Sequence, residues 1–182
     1  MIAIRICLLG ILIIRTVCGV RVKVKNKCGF PLLVRIGNGD GGRWIDAGQE
    51  SWGTNGRSDR TWAVQPGIWG DDTLAEINDD NGHIWYDMSL VDGFTYPMAL
   101  VPVGGAGGNR RNLYCVGWNV LNECPDNLKV WVNGSVRACK NHSVNPGHFK
   151  ARCPDAYSWW GDDPSSMADT FHPDHMEVTF CP

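Results

Sequence analysis

The sequence has no basic run, no long 3.6-residue hydrophobic period and no internal repeat. The first absence, with a formal net charge of −2, argues against nucleic acid and anionic membrane surfaces as main partners. The other two leave the fold class to be read from strands. No two cysteines stand in C-x2-C spacing, so the commonest zinc-site signature is missing. Gly104–Gly108 is not followed by Gly-Lys-Ser/Thr, so it is not a phosphate loop. Ser158 and the five histidines form no Gly-x-Ser-x-Gly elbow, so a serine hydrolase is not indicated. His172-Pro-Asp-His175 reads as a polar loop rather than a metal pair. No metal and no cofactor are expected.

The one long apolar run is Ile6 to Ile14, preceded by Arg5 and followed by Val17-Cys18-Gly19. It is about half the roughly 20 residues that a spanning helix needs, and its layout is that of a secretory signal peptide cut after Gly19. Residues 1–19 are therefore read as a leader, with one domain over 20–182. Cleavage removes Arg5 and Arg15 and no acidic residue, which takes the net charge from −2 to −4. The exported chain is expected to be extracellular and monomeric, with no stable membrane insertion.

What is abundant is glycine (22) and tryptophan (9), within 43% apolar and 20% charged residues. Short alternating segments separated by turn signals read as an all-β sandwich. Val20, Val22 and Val24 share one face of a first strand. Phe30–Ile36, Trp44–Trp52, Arg60–Val64, Thr73–Ile77, Phe94–Val103, Leu128–Val132 and Met176–Phe180 read as further strands. In His83–Leu90, Ile84, Tyr86, Met88 and Leu90 face one way and Trp85, Asp87 and Ser89 the other, so Asp87 can point into a groove. Residues 133–170 read as a loop excursion with at most one short helix. Trp44, Trp52, Trp62, Trp85 and Trp131 are read as packing residues. Asn133-Gly-Ser135 and Asn141-His-Ser143 are candidate glycosylation sequons.

Cys28, Cys115, Cys124, Cys139, Cys153 and Cys181 remain in the exported chain, an even number that implies three disulfides in an oxidising compartment. Six cysteines allow 15 pairings, and spacing does not choose among them.

Ordered blocks resemble the thaumatin-like family, which includes thaumatin and osmotin. They are Asn26-Lys-Cys28; Gly41-Gly-Arg43 with Glu50-Ser-Trp52; Thr73-Leu-Ala-Glu76; Tyr86-Asp-Met-Ser-Leu-Val-Asp-Gly-Phe94 with Pro97-Met98; Cys153-Pro-Asp-Ala-Tyr-Ser158; Asp162-Asp-Pro164; and Phe180-Cys-Pro182. The resemblance implies the thaumatin-like β-sandwich and the bonds Cys28–Cys181, Cys115–Cys153 and Cys124–Cys139. The chain is similar to a small form of the family. A cysteine-rich insertion between Trp69 and Thr73 is missing, Ser143 stands where a family cysteine is expected, and the loop domain before Cys153 shrinks to about Lys140–Arg152.

The resemblance further implies a cleft of one arginine and four carboxylates: Arg43, Glu76, Asp87, Asp92 and Asp162. Converging carboxylates raise the pKa of at least one of them, the equipment of glycoside hydrolysis. In an enzymatic reading Glu76 is the general acid and Asp92 the base or nucleophile, with Arg43, Asp87 and Asp162 binding sugar. Trp159 and Trp160 offer flat faces as a sugar platform. The leading expectation is a secreted, antifungal, pathogenesis-related defence protein that binds β-1,3-glucan. A weak endo-β-1,3-glucanase and an inhibitor of a foreign hydrolase are the alternatives, because a fold does not guarantee chemistry.

Overall fold

A computed structural model of the chain describes residues 19–64, 67 and 70–182. The leader expected over 1–19 lies outside the described residues, except for Gly19. The described strands are β1 (Val20–Asn26), β2 (Leu32–Ile36), β3 (Arg43–Ile45), β4 (Glu50–Asn55), β5 (Asp59–Val64), β6 (Leu74–Asp80) and β7 (His83–Ser89). They continue with β8 (Gly93–Phe94), β9 (Met98–Ala106), β10 (Leu113–Cys115), β11 (Lys129–Val132), β12 (Ser135–Lys140) and β13 (Ala168–Phe180). The chain is all-β, with only short helices.

The period-2 pattern carries directly into burial. Val20, Val22, Val24 and Asn26 of β1 point inward, as do Leu32, Val34 and Ile36 of β2. Asn26 is the polar member of that row. Its buried Nδ2 donates to the carbonyls of Phe30 and Ile45, and its Oδ1 accepts from Cys28 N–H. It thereby holds the loop that presents Cys28, which is why an amide stands where alternation would place an aliphatic residue.

One long strand joins the two layers. On one edge β13 pairs with β9, from Phe171↔Ala106 to Phe180↔Met98. On the other edge its first part pairs with β7 and its last part pairs in parallel with β1. Between the two, His172 takes φ +47° and the register shifts at Pro173, which has no N–H to offer a ladder. The strand turns there, so β1 and β4 form one layer and β7-β6-β5-β2-β3 the other. Val22, Val24, Ile36, Ile77, Ile84, Tyr86, Met88 and Val178 share one core cluster between them.

Disulfides close this frame. Cys28–Cys181 ties the loop after β1 to the end of β13 across 153 residues, and Cys115–Cys153 and Cys124–Cys139 tie the following excursions. The first removes about 5 kcal/mol of loop entropy from the unfolded chain in the chain-entropy model.

The segment 133–170 is more ordered than the sequence reading expects. β12 pairs with β11 and β8 in a second, three-stranded sheet. Two helices follow, Pro146–Arg152 and Asp163–Ser166, the first burying Phe149 against Trp118. The missed signal is Asn133-Gly134, which takes positive φ at both residues and forms the two-residue hairpin turn between Val132 and Ser135. Asn81-Gly82 does the same between β6 and β7.

The two layers approach closely at Gly53 of β4. A Cβ there would lie 2.6 Å from Ile36 Cγ2 and 2.9 Å from Ile36 Cβ. Gly53→Ala is therefore expected to destabilise the domain by about 1–3 kcal/mol through overpacking. Thermal melts would show this as a lower Tm, partly restored by Ile36→Val.

Candidate functional site

Alternation on the outer layer builds a groove. On β6, Leu74, Glu76 and Asn78 face away from the core; on β7, Trp85, Asp87 and Ser89 do so, and Leu74↔Ser89, Glu76↔Asp87 and Asn78↔Trp85 stand directly opposite. On β5, Arg60 stands opposite Glu76 and pairs with it at 3.0 Å. A transverse row, Arg60–Glu76–Asp87, thus crosses three strands. It lines two adjoining chambers of about 350 and 410 Å³. The first is walled by Ser58, Asn78 and Trp85, the second by Asp92, Tyr157 and Trp160. A third chamber of about 230 Å³ continues past Asp92 to Arg35, Trp62 and Asp72. Trp85 extends the surface at the opposite end through His83, whose ring stacks on Phe171 at 4.1 Å.

Two carboxyls along the groove, Asp87 and Asp72, are nearly shut off from water, each beside other carboxylates. Asp87 is 7% accessible and its Oδ1 has no hydrogen-bond partner. Burial, then the charges of Glu76 and Asp163, push its pKa well above the ordinary carboxylate range. Asp72 is 8% accessible, also with an unpartnered Oδ1. Burial, then Asp71 and Asp92, push it up to about 7. Buried carboxyls without partners oppose folding once ionised. Keeping two of them on one groove marks a functional site better than a structural one.

The structure does not bring the whole expected set together. Glu76, Asp87 and Asp92 meet in the groove, and Trp160, 85% accessible, stands at its rim. Arg43 lies on the short edge strand β3, paired with Asp40 at 2.9 Å and donating to the Trp52 carbonyl at 3.0 Å. It lines none of the three chambers, and Arg60 and Arg35 supply the guanidinium groups there. Asp162 is buried behind the groove. It pairs with Lys150 at 2.8 Å and accepts from Ser158 N–H and the Ser165 hydroxyl. Burial raises its pKa, but these bonds outweigh burial and hold it below the ordinary range. Asp162 thus positions the 157–160 loop and has no free oxygen to turn to a ligand. Trp159 is half-buried with Lys150 over its ring at 5.9 Å, leaving Trp160 as the available face. Trp62 and Trp85, read as packing residues, face the groove instead, and Trp44, Trp52 and Trp131 are exposed.

Asn141 of the second candidate sequon is buried. It is 0% accessible, and its Nδ2 donates to the carbonyls of Leu90 and Ser158 at 2.8 and 2.7 Å. It splints the strand that carries Asp87 to the 157–160 loop, so the folded protein does not present it for glycosylation.

The chain is 30% identical, over an alignment 204 positions long, to the osmotin-like protein OSML15 of Solanum commersonii, covering 88% of this chain and 81% of that one. It belongs to the thaumatin family. The thaumatin family model itself matches residues 65–148, which include β6, β7 and the groove carboxylates Glu76, Asp87 and Asp92. An osmotin-like protein of Nicotiana tabacum is likewise 30% identical, over 88% of this chain and 80% of that one. Among solved structures, the protein elicitor MoHrip2 of Magnaporthe oryzae superposes with a TM-score of 0.50 at 14% identity, over 90% of this chain and all of that one. That likeness is one of fold. For this thaumatin-family chain, no helix among the described residues is long and apolar enough to cross a membrane.

The raised Asp72 sets a pH dependence. Its folded pKa lies above the unfolded value, so the native state binds more protons than the unfolded state between about pH 4 and 7. Stability contributed by the protonated carboxyl is full below pH 4 and lost as pH rises towards 7; Asp87 acts in the same direction. Asp72→Asn should therefore leave the denaturation midpoint unchanged at pH 4 and raise it at pH 7.5. A midpoint lowered at both would contradict this.

Proposed function

We propose that the protein is a secreted defence protein that binds fungal-wall β-1,3-glucan in the Arg60–Glu76–Asp87 groove. The observation that carries the reading is that row, with Trp62, Trp85 and Trp160 spaced along the same open groove. A neutral polysaccharide offers hydroxyl donors for the carboxylates, acceptors for the guanidinium groups, and apolar ring faces that stack on indole. The leader-like residues 1–19 and three disulfides support export to an oxidising compartment.

A hydrolytic reading is favoured by one observation. Burial pushes the Asp87 pKa well above the ordinary carboxylate range, beside a Glu76 carboxylate paired with Arg60. In that reading Asp87 is the acid and Glu76 the nucleophile, with Asp92 binding sugar. This differs from the roles expected from sequence, because burial selects Asp87. A retaining mechanism would require the Asp87 and Glu76 carboxyl groups to stand about 5–5.5 Å apart with sugar bound.

The test pairs sedimentation of the exported protein with insoluble β-1,3-glucan and reducing-sugar release from a soluble one. Binding is expected in the wild type and is expected to weaken in Trp62→Ala and Trp85→Ala. Any sugar release should fall about 10²–10⁴-fold in Asp87→Asn and in Glu76→Gln. A wild type that neither binds the insoluble glucan nor releases sugar from the soluble one would contradict the proposal.

A further inference from the structure

Trp131 is 62% accessible, and its ring has no aromatic or cationic partner among the described residues. It lies outside the groove, on the β11–β12 hairpin, two residues before the Asn133-Gly134 turn. Asn133 follows Trp131 by two residues, at the first position of the turn that closes this hairpin. A bulge beside Trp131 leaves Arg137 as the extra residue of the facing strand. Around the ring lies a depression of about 480 Å³, lined by Lys129, Trp131, Gly134, Ser135, Val136 and Arg137. Val136 is its buried apolar floor, and Lys129 and Arg137 bring donors.

The turn presents an acceptor amide beside this depression. Asn133 is exposed, with positive φ at the hairpin tip, and its side-chain amide has no partner among the described residues. Ser135, the third residue of the sequon, is exposed as well. The second sequon differs on every count, since Asn141 is buried and its Nδ2 is committed to two carbonyls.

We propose that Asn133 alone carries an N-linked glycan, and that its first sugar packs on the Trp131 indole in this depression. The donor is an oligosaccharide on a lipid diphosphate, ending in N-acetylglucosamine. Asn133 Nδ2 forms a bond to the anomeric carbon, and the carbon–oxygen bond to the diphosphate breaks. The lipid diphosphate leaves with the electron pair, and one amide proton is lost to base; nothing is oxidised or reduced. The apolar face of the sugar covers the indole, while Lys129 and Arg137 can donate to its acetamido and hydroxyl oxygens. The glycan then clamps the hairpin whose β12 strand carries Cys139. The inference shares with the proposed function only the export of the chain. Glucan retention is measurable on enzymatically deglycosylated protein, so the two can fail separately.

The test expresses the full chain in a cultured human cell line and reads the intact mass of the product before and after peptide N-glycosidase. One glycan is expected. It should vanish in Ser135→Ala, which keeps the Asn-Gly turn, and persist in Ser143→Ala, which removes only the Asn141 sequon. Trimmed to a single sugar, the protein should melt about 2–4 °C above Ser135→Ala, the shift one stacking contact gives a domain of this size. That gain should be absent in Trp131→Ala. Unmodified protein, in the medium or in the cell, or a glycan that survives Ser135→Ala, overturns the site. An equal gain with and without Trp131 overturns the packing.

Discussion

The register between β6 and β7 is the constraint on which the groove depends. It sets Glu76 opposite Asp87 and, through β5, sets Arg60 opposite Glu76. Because strand side chains alternate, a slip of one residue would send this row into the core and bring Ile77 and Tyr86 to the surface. Two features hold the register. The Asn81-Gly82 turn joins the strands with two residues in positive φ, which only a short menu of residues accepts. The opposite faces bury Ala75, Ile77, Ile84, Tyr86 and Met88 against β1 and β13. The same alternation that makes the core therefore makes the site, and core stability and groove geometry cannot vary independently.

The remaining structure shapes the rim of this face. β13 turns at His172 and Pro173 and passes from one layer to the other, which leaves Met167 and the 157–160 loop at the rim. Asn141 and Asp162 fix that loop from behind, the first through the carbonyls of Leu90 and Ser158, the second through Lys150, Ser158 and Ser165. Asp87 is thus only 7% accessible although it lines the open groove. Burial is the largest cause of its raised pKa, followed by the charges of Glu76 and Asp163.

Much of this was legible in the sequence, for a physical reason. Period-2 alternation is local, so the inward face of β1 and the outward position of Asp87 follow from a few consecutive residues. Trp85 carried the same signal, since it alternates in step with Asp87 and Ser89, and reading it as a packing residue set that pattern aside. The arginine was not legible. Arg43 and Arg60 both lie near the start of short strands, and what places Arg60 in the row is the pairing of β5 with β6, a non-local contact. Asp162 sits in a recognisable block, yet its partner Lys150 lies on a helix that polar composition concealed. The hairpin at Asn133-Gly134 was visible as a sequon and overlooked as a turn, although both readings follow from the same dipeptide.

The central claim is that burial raises the pKa of Asp87 on a groove proposed to take glucan. Carbon-13 NMR of the aspartate side-chain carboxyls tests it most directly, with the Asp87 signal assigned through Asp87→Asn and titrated with and without a β-1,3-linked glucose oligomer. The account requires Asp87 to titrate well above the ordinary carboxylate range and to shift when the oligomer is added, with Asp162 titrating below that range and unmoved. An Asp87 signal that titrates in the ordinary range and ignores the oligomer would contradict it.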